Sequence, residues 1–429
     1  FLWRVLKETT PGTEILITGS IYGQLGCGSD KIEVPHLTCR GGYSPNFSEW
    51  NPVQYPTRFA RLKDSQIAPN FLILEVLEGI GTVLDGLVFD QSVHNTYDGK
   101  GLISSGSSTS LVQISQLASG QAIIRNCVFI NGNEGALDIR NPSEGGKIIV
   151  ENCLFLNCVR YGINFDGGTS TELIVRNNTF ALIHPKTDGS GRGPGSAIVL
   201  GYRGKIEISN NIFAYCDFGV DAIKNKKFDL KNNVGHFLTN AVVHCSIGGS
   251  KVKASFEQLE EMSFEGALED NQMMDPQLPL DSLILMKYLK NNELPAVDEA
   301  IRKKEIALLE PLLPKEATTL TSETKEEPKV ETKEEPKVET KEEKKDPFGN
   351  NPFGTDPFKD DPFKNRTDPF AKKPQKEENI VEVKIEPKGE VDNSLVPYSN
   401  YNPQAYPYEK AWIFPQNKEC TSGAKTPTK

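Results

Sequence analysis

The stretch that decides the fold is Ile124-Arg125-Asn126-Cys127-Val128-Phe129, because versions of it return four more times along the chain. The later copies begin at Val150, Val175, Ile208 and Leu230, and the last of them has Gly235 where the others have Phe. The Asn residues at the third position, numbers 126, 152, 177, 210 and 232, are 26, 25, 33 and 22 residues apart. Self-similarity at this period is the signature of a repeat architecture whose units stack on one another.

The aligned copies form columns with distinct chemistry. The first column is apolar and is expected to point into the coil: Ile124, Val150, Val175, Ile208 and Leu230. The second column should point outward, as the period of a strand requires: Arg125, Glu151, Arg176, Ser209 and Lys231. The Asn column falls at a bend between strands, where its amide can bond to the backbone or to the next Asn, and the Phe column should stack as an internal ladder. The pattern predicts an all-β, right-handed parallel β-helix, with an ordinary β-sandwich as the alternative.

A second strand follows each copy, and its outward row predicts a contact surface. The row is read as Leu137, Asn164, Ile198, Asp221 and Val242. It is mostly apolar, and exposed apolar stripes usually mark a contact surface. We therefore expect Leu137, Ile198 and Val242 to be binding residues, covered by the hydrophobic C-terminal segment or by a neighbouring subunit.

Composition excludes several function classes. The 429 residues are enough for two or three domains, and the net charge of −10 with a pI near 5.3 argues against a nucleic-acid binder. No CxxC or Cys/His spacing predicts a metal site, no cofactor is expected, and no run of 18 apolar residues predicts a membrane span. Among the eight cysteines, Cys127 with Cys153 and Cys27 with Cys39 are open between disulfides and free thiols.

Four stretches near the start of the chain carry a resemblance to a known family: the helix-like start at residues 1–7, PGTEILITGSIYG at 11–23, RGGYSPNFS at 40–48 and TVLDGLVF at 82–89. Through them, the first 275 residues resemble the pectin-lyase-like family of right-handed β-helix proteins. The resemblance implies an N-terminal capping helix and a secreted or cell-surface protein of bacterial origin. The matching motifs are structural, so the resemblance identifies a fold and names no active site.

Changes in composition predict five segments. Residues 1–250 form the β-helix, and residues 251–313 form a helical C-terminal cap that begins at the capping box of Ser255 and Gln258. Residues 314–345 are a charged Lys/Glu/Pro linker, because a nearly apolar-free repeat cannot bury a core. Residues 346–373 are a tract of Asp-Pro-Phe and Asn-Pro-Phe motifs, and residues 374–429 are a Tyr/Pro-rich tail. The long C-terminal part is expected to be extended or disordered.

The five motifs of the tract place one Phe each after a Pro. These candidate binding residues are Phe348, Phe353, Phe358, Phe363 and Phe370. Repetition of a weak anchor produces avidity, so the tail is expected to bind a protein partner or to drive self-assembly. Docking to endocytic adaptors, docking into grooves of this or another β-helix, and a plain linker all remain open.

A catalytic site is only weakly indicated. Hydrolases of this fold use clustered carboxylates, and the candidates here are Asp166, Asp217 and Asp221 with Arg192, accompanied by Asp138, Arg140, His184 and Lys186. The polygalacturonase set of NTD, DD, GHG and RIK motifs is missing. We expect a structural or adhesive β-helix protein that is not an enzyme, with a polysaccharide-binding or polysaccharide-cleaving protein as the alternative.

Overall fold

A computed structural model describes residues 5, 9–22, 37–60, 72–76, 81–92, 110–117, 120–140, 145–168, 170–188, 191–201, 204–223, 227–262, 264–291, 299–312, 381–385 and 406–427. The predicted helix at residues 1–7 lies outside this part except for Val5. The linker of residues 314–345 and the Phe tract of residues 346–373 lie outside it entirely.

The chain is mostly β and forms three long sheets that stack as a solenoid. Sheet A contains β1 (Thr13–Thr18), β3 (Leu37–Tyr43), β6 (Gly81–Asp85), β9 (Gln121–Arg125), β12 (Lys147–Glu151), β15 (Glu172–Arg176), β20 (Lys205–Ser209), β23 (Asp229–Lys231), β27 (Leu268–Glu269) and β29 (Val381–Ile385). Sheet B contains β2 (Ser20–Tyr22), β4 (Thr57–Ala60), β7 (Leu87–Asp90), β10 (Val128–Ile130), β13 (Leu154–Val159), β16 (Thr179–His184), β21 (Ile212–Cys216), β24 (Val234–His236) and β28 (Gln272–Met273).

The third sheet completes each coil. Sheet C contains β5 (Leu72–Val76), β8 (Val112–Leu117), β11 (Leu137–Arg140), β14 (Tyr161–Asp166), β19 (Ser196–Leu200), β22 (Phe218–Ala222), β25 (Ala241–Ile247) and β26 (Ser250–Ala254). A complete coil uses one strand of each sheet in the order A, B, C, and all pairings between coils are parallel except that of β25 with β26. A small hairpin of β17 (Lys186–Asp188) and β18 (Gly191–Gly193) leaves the stack after β16. The prediction of parallel β structure is confirmed.

The Phe column forms the predicted internal ladder. Phe59, Phe89, Phe129, Phe155, Phe180 and Phe213 are fully buried. Successive ring centroids are 5.6, 5.3, 4.9, 4.6 and 5.7 Å apart, which is the range in which offset aromatic pairs attract. The ladder leaves little space across the coil: a Cβ on Gly162 would lie 2.6 Å from the Phe180 ring. Gly162 belongs to a column of small residues that face the ladder. In the coil where the ladder ends at Gly235, this column holds the larger Val242.

Two Asn columns lie side by side at the corner between sheets A and B. Asn126, Asn152, Asn177, Asn210 and Asn232 have φ of 52–55°, the left-handed region that Asn tolerates. The next residue of the later coils is a fully buried Asn, and Nδ2 of Asn178 donates to Asn211 at 3.0 Å, and that of Asn211 to Asn233 at 3.1 Å. Each of these amides also donates to a strand carbonyl at 2.9 Å. The buried amides of this second column are therefore hydrogen-bonded within the protein.

The predicted outward row of the second strands is correct for Asn164 and Asp221 and wrong for its three apolar members. Leu137 and Ile198 are in register with Ile163, Val220 and Val243 and are fully buried inside the coil. Val242 belongs to the preceding column of Ala and Gly and is 2% exposed. The true outward row is Asp138, Asn164, Val199, Asp221 and His244. The distance from the corner Asn to the outward residue varies between coils, being 12 residues for Asp138, Asn164 and His244, 22 for Val199 and 11 for Asp221. A slip of one residue exchanges the faces of a strand.

Three helices follow the coils. Helix α1 (Phe256–Glu260) has the predicted capping box, with Ser255 and Gln258 bonded reciprocally, and it buries Phe256 and Leu259 in the core of the coils. Helix α2 (Ser282–Asn291) packs Ile284, Leu285, Tyr288 and Leu289 against a second core on the outer face of sheet B. Helix α3 (Glu299–Leu309) continues into a 3₁₀ turn at Glu310–Leu312. The helices thus cover the solenoid at its side as well as contributing to its end.

The C-terminal segment of residues 406–427, which we name the clasp, lies on the same outer face. Tyr406, Ala411, Ile413, Cys420 and Ala424 share the second core with outward side chains of sheet B. Those sheet residues are 0–1% exposed: Val88, Val128, Ile130, Leu154, Leu156, Ala181, Ile212, Ala214 and Val234. In addition, β29 pairs in parallel with β1 and extends sheet A. The tail of residues 374–429, expected to be extended or disordered, thus contains a strand at residues 381–385 and a packed segment at residues 406–427, and its other residues lie outside the described part.

The cysteines of the described part are free and buried. They are Cys39, Cys127, Cys153, Cys158, Cys216, Cys245 and Cys420. Cys127 and Cys153 occupy equivalent corner positions in adjacent coils and donate to carbonyl oxygens, so they serve as packing residues. Burial raises the pKa of the Cys39 and Cys158 thiols to about 12, which keeps them protonated and unreactive. Cys27 lies outside the described residues.

Candidate functional site

A groove of about 540 Å³ lies over the corner where sheet A turns into sheet B. Its walls combine three residue types: charged residues of the sheet A outer column, Asn residues of the corner, and one aromatic ring. The lining residues are Arg40, Trp50, Asp85, Arg125, Asn126, Glu151, Asn152, Asn177, Lys425 and Thr426. Because the charged residues and the Asn residues recur at successive coils, the groove offers similar groups at steps of about 4.8 Å along the solenoid axis.

Ion pairs hold the floor of the groove in one arrangement. One oxygen of Asp85, which is 3% exposed, accepts from Arg40 at 3.1 Å and from Arg125 at 2.9 Å. Its other oxygen accepts from Asn126 at 2.7 Å. Desolvation acts to lower the pKa of Arg40, but Tyr43, Glu14 and Asp85 raise it above its ordinary value. The floor is therefore charged but internally paired, which favours a ligand without a strong net charge.

The clasp forms one wall of the groove. The backbone N–H of Lys425 donates to Asn152 Oδ1 at 2.5 Å, and Asn152 in turn donates to Asn126 at 2.6 Å. In the described part of the chain, the Asn177 amide, the Lys425 ammonium and the Thr426 hydroxyl have no partner. These open groups supply both donors and acceptors to a ligand in the groove.

The outward row of sheet C does not assemble a carboxylate pair. Asp138 and Asp221 are separated by Asn164 and Val199, which is three strand spacings or about 14 Å. Acid and base carboxyl groups of glycoside hydrolases are at most about 9.5 Å apart. Asp138 is also bonded to Arg140 at 2.7 Å and to Asn164 at 2.8 Å, so it has a structural role.

Asp221 lies beside a histidine that is held by aromatic packing. Its carboxylate is 3.3 Å from His244 Nδ1, and the His244 ring stacks on Phe218 with centroids 4.9 Å apart. Burial lowers the pKa of His244, and the charge of Asp221 raises it only in part. The Lys253 ammonium lies over the Phe218 ring, 5.4 Å from its centroid. The cluster therefore places a carboxylate, an imidazole and an ammonium group around the Phe218 ring.

The remaining predicted catalytic residues are scattered. Asp217 is 2% exposed and accepts from Gly195 N at 2.9 Å and from the Thr239 hydroxyl, which fixes a corner. Asp166 is exposed at the end of β14, in register with Arg140. Arg192 lies in the β17–β18 hairpin opposite Thr187. The structure therefore does not bring Asp166, Asp217, Asp221 and Arg192 into one site.

His184, a companion of these candidates, belongs to a buried polar chain. Its Nε2 is 2.8 Å from Asn157 Oδ1, Asn157 donates to Asn131 at 2.7 Å, and Asn131 exchanges two hydrogen bonds with the Tyr406 backbone, at 2.8 and 3.2 Å. Burial lowers the pKa of His184 to about 4. The chain connects the coils to the clasp, so His184 supports the covering layer.

The predicted binding residues fall into two groups in the structure. Leu137, Ile198 and Val242 are core residues, whereas the five Phe residues of the tract lie outside the described part. The structure does show that the chain is attached to the solenoid on both sides of the tract, through helix α3 before it and through β29 and the clasp after it.

The sequence predicts a C-terminal cover over Leu137, Ile198 and Val242, which are core residues, whereas the clasp covers the outer face of sheet B. It also predicts that Arg125, Glu151 and Arg176 point outward, but not that they border a groove. The runs Val128-Phe129-Ile130 and Leu154-Phe155-Leu156 are apolar at every position, which is typical of a parallel strand buried on both faces.

None of the described helices combines the length and the apolar character that crossing a membrane requires. Nowhere in the described ranges do three or more His, Cys, Asp or Glu side chains gather as metal ligands would.

Comparison of the chain with protein-family models, with curated proteins and with solved structures found no match.

Proposed function

We propose that this protein is a non-catalytic β-helix scaffold, secreted or on the cell surface of a bacterium, that presents the Phe tract to a protein partner. The observation that carries the proposal is the attachment of the chain on both sides of the tract. The described chain leaves the solenoid at Leu312 and returns at Val381 as a strand of sheet A. The five Phe motifs therefore lie in a connection whose two ends belong to one solid support.

The structural role is supported by the contacts that the buried side chains make. The Asn, Phe and Cys columns serve internal packing, and the predicted acidic residues are dispersed over separate corners and strands. Such a solenoid is a stable support with little chemistry of its own. Right-handed coiling belongs to the same proposal, since parallel crossovers are right-handed in about 98% of cases. A pectin-lyase-like origin is part of the proposal because of the sequence resemblance.

The tract test compares the full chain with a variant in which Phe348, Phe353, Phe358, Phe363 and Phe370 are all replaced by Ser. Self-assembly predicts concentration-dependent sedimentation of the full chain that the variant loses. A foreign partner predicts a protein retained from a cell-envelope extract by the full chain, lost with the variant and competed by the free peptide 346–373. Because binding through repeated weak anchors is an avidity effect, a single Phe→Ser change should weaken it far less than the fivefold change. If sedimentation and retention are identical for both proteins, the proposal is wrong.

A second candidate function is saccharide binding in the groove. It is favoured by the mixture of open donors and acceptors at Asn177, Lys425 and Thr426, since each sugar hydroxyl both donates and accepts. A linear polymer along the axis would meet related groups at every coil. Titration calorimetry with soluble pectin and alginate should give heat that is lost in an Arg125→Ala, Asn177→Ala double variant. Absence of heat with the intact protein would reject this function and leave the tract proposal untouched.

A further inference from the structure

The outer face of sheet A carries an apolar stripe that crosses four successive coils. It consists of residues that are in register on β6, β9, β12 and β15, namely Val83, Ile123, Ile149 and Ile174. Each is half-buried and lies between two buried neighbours on its strand, so all four point away from the core. At about 4.8 Å per strand, the stripe is about 14 Å long.

The fold does not require apolar residues in this row. The same row holds Thr38 on β3 before the stripe, and Glu207 and Asp229 on β20 and β23 after it. In the described part of the chain, none of the four stripe residues belongs to a hydrophobic cluster with the coils, the helices or the clasp. An apolar row with a charged border has the composition of a contact surface.

The charged residues that border the stripe cancel one another. Their signs alternate from coil to coil on the side next to sheet B, and two further charges lie on the other side: Asp85, Arg125, Glu151 and Arg176, then Lys147 and Glu172. Three of the six are basic and three are acidic, whereas the whole chain has a net charge of −10. Two copies of an acidic chain repel each other, but this face allows them to approach without net repulsion.

We propose that this face binds a second copy of the chain, related by a two-fold axis that runs parallel to the strands and passes between β9 and β12. The axis places Ile123 of one copy against Ile149 of the other. One strand further out, Val83 of one copy meets Ile174 of the other. Face-to-face sheets pack about 10 Å apart, a gap that opposed Val and Ile side chains can fill.

The charged border fits the same axis. Arg125 of one copy meets Glu151 of the other, and Asp85 meets Arg176, and the symmetry repeats each of these contacts. A shift of the two copies by one strand would instead oppose Arg125 to Arg176. Because like charges in an interface repel, the border specifies the register of the two copies.

The border also specifies their orientation. An axis parallel to the solenoid would place Glu207 and Asp229 of one copy against the same residues of the other, which repel. With the axis parallel to the strands, Glu207 meets Thr38, because β20 and β3 are equally far from the axis. The two solenoids of the dimer are therefore antiparallel.

The size of the face predicts a weak dimer. The six strands from β3 to β20, with five residues on each, measure about 29 by 17 Å and bury about 1,000 Å² in the two copies together. Interfaces below about 1,200 Å² belong to weak and reversible complexes. We expect a dissociation constant of the order of 10 μM, so the chain is a monomer at submicromolar concentration and its stability there is that of a single copy.

Sedimentation velocity of the full chain, over concentrations that bracket this value, tests the dimer. Arg125→Glu and Glu151→Arg each oppose two pairs of like charges across the axis, so either variant alone should weaken dimerisation at least about tenfold. An equimolar mixture of the two variants should dimerise like the native protein, because opposite charges then meet at both contacts. Lys147→Glu is the matched control, since it faces the neutral Gln121 of the other copy and should leave the dissociation constant unchanged.

Three outcomes overturn the proposed dimer. The first is a native chain that remains monomeric over the whole series. The second is loss of the dimer in both charge variants without recovery in their mixture, which would mean that the substitutions disturb the fold or that the copies meet in another way. The third is a dimer that the charge variants keep.

The dimer does not depend on the Phe tract of the proposed function. The variant with all five tract Phe replaced by Ser should therefore dimerise through sheet A as the native chain does. Association that this variant loses and that Arg125→Glu keeps belongs to the tract and not to sheet A. The two proposals can therefore fail separately.

Discussion

The outer faces of sheets A and B differ although both belong to the same coils. On sheet A the outward rows near the strand ends are charged and pair from coil to coil, as Glu151 does with Arg176 at 2.6 Å. The row between them is apolar and only half-buried, with Val83, Ile123, Ile149 and Ile174. On sheet B the outward side chains are apolar and fully buried beneath α2 and the clasp. The solvent face of a parallel solenoid is therefore a property of each sheet, and an apolar face requires a cover from elsewhere in the chain.

Introducing a charge into each face should give the largest difference in the free energy of unfolding between the two sheets. Leu156, on the covered face, is 0% exposed, so Leu156→Lys places an ammonium without a partner under the clasp. We expect a loss of about 3 kcal/mol or more in the free energy of unfolding. The matched change on sheet A is Ile174→Lys, at an outward and half-buried position, which should cost less than about 1 kcal/mol. Urea denaturation measures both, and equal losses would mean that sheet B is not covered.

Removing the main anchor of the clasp should have the next largest effect. Tyr406 is fully buried, and its hydroxyl accepts from Asp281 N at 3.0 Å. Tyr406→Ala should destabilise the docked clasp by about 3 kcal/mol and raise the rate of tryptic cleavage after Lys418. Tyr406→Phe, which keeps the ring, should cost about 1 kcal/mol. An unchanged cleavage rate in Tyr406→Ala would show that this residue does not fasten the clasp.

Acid should weaken the covered face through His184, whose ring lies 5.3 Å from that of Tyr288 on α2. Burial sets the folded-state pKa of His184 near 4, below its ordinary value of 6.5. The unfolded chain then binds more protons between these values, so this stabilisation is complete above pH 6.5 and is lost as the pH falls toward 4. Between pH 7 and pH 5 we expect a loss of about 2 kcal/mol. The urea midpoints of the His184→Gln variant should lack this part of the pH dependence. If they depend on pH as strongly as those of the native protein, His184 does not cause the loss of stability in acid.

The smallest effect is expected on the open face. Arg176 is 44% exposed and donates two bonds to Glu151, at 2.6 and 2.8 Å. Exposed pairs contribute about 0.2–1 kcal/mol, so Arg176→Gln should change the free energy of unfolding by about 0.5 kcal/mol. The change should shrink further in high salt. A loss as large as that of Leu156→Lys would contradict the difference between the faces.

The columns of the first strand were predictable because they lie in uninterrupted copies of one motif. Ile124, Arg125, Asn126 and Phe129 each recur at a fixed offset, so periodicity alone assigns inside, outside, corner and ladder. The second strands were harder, because each follows a corner of variable length. The ten-residue insertion before Val199 and the one-residue shortening before Asp221 obscured the common register, and with it the outward position of Asp138 and its separation from Asp221.

The clasp could not be placed from sequence because its contacts join residues that are far apart in the chain. Tyr406 bonds to Asn131 across 275 positions, and no local pattern links the two. The apolar residues beside Phe129 and Phe155 indicate that the outer face of sheet B is covered, but not which segment covers it. The groove depends on the same docking, since Lys425 and Thr426 line it.

Amide hydrogen exchange of residues 406–427 in the intact chain tests the central claim, that the C-terminal segment covers sheet B. The account predicts protection of the N–H groups of Tyr406, Gly423 and Ala424, which donate to Asn131, to Asn210 O and to Thr179. Their exchange should be far slower than in a free peptide of the same sequence and should become faster in Tyr406→Ala. Exchange as fast as in the free peptide would contradict the account, because sheet B would then have no C-terminal cover.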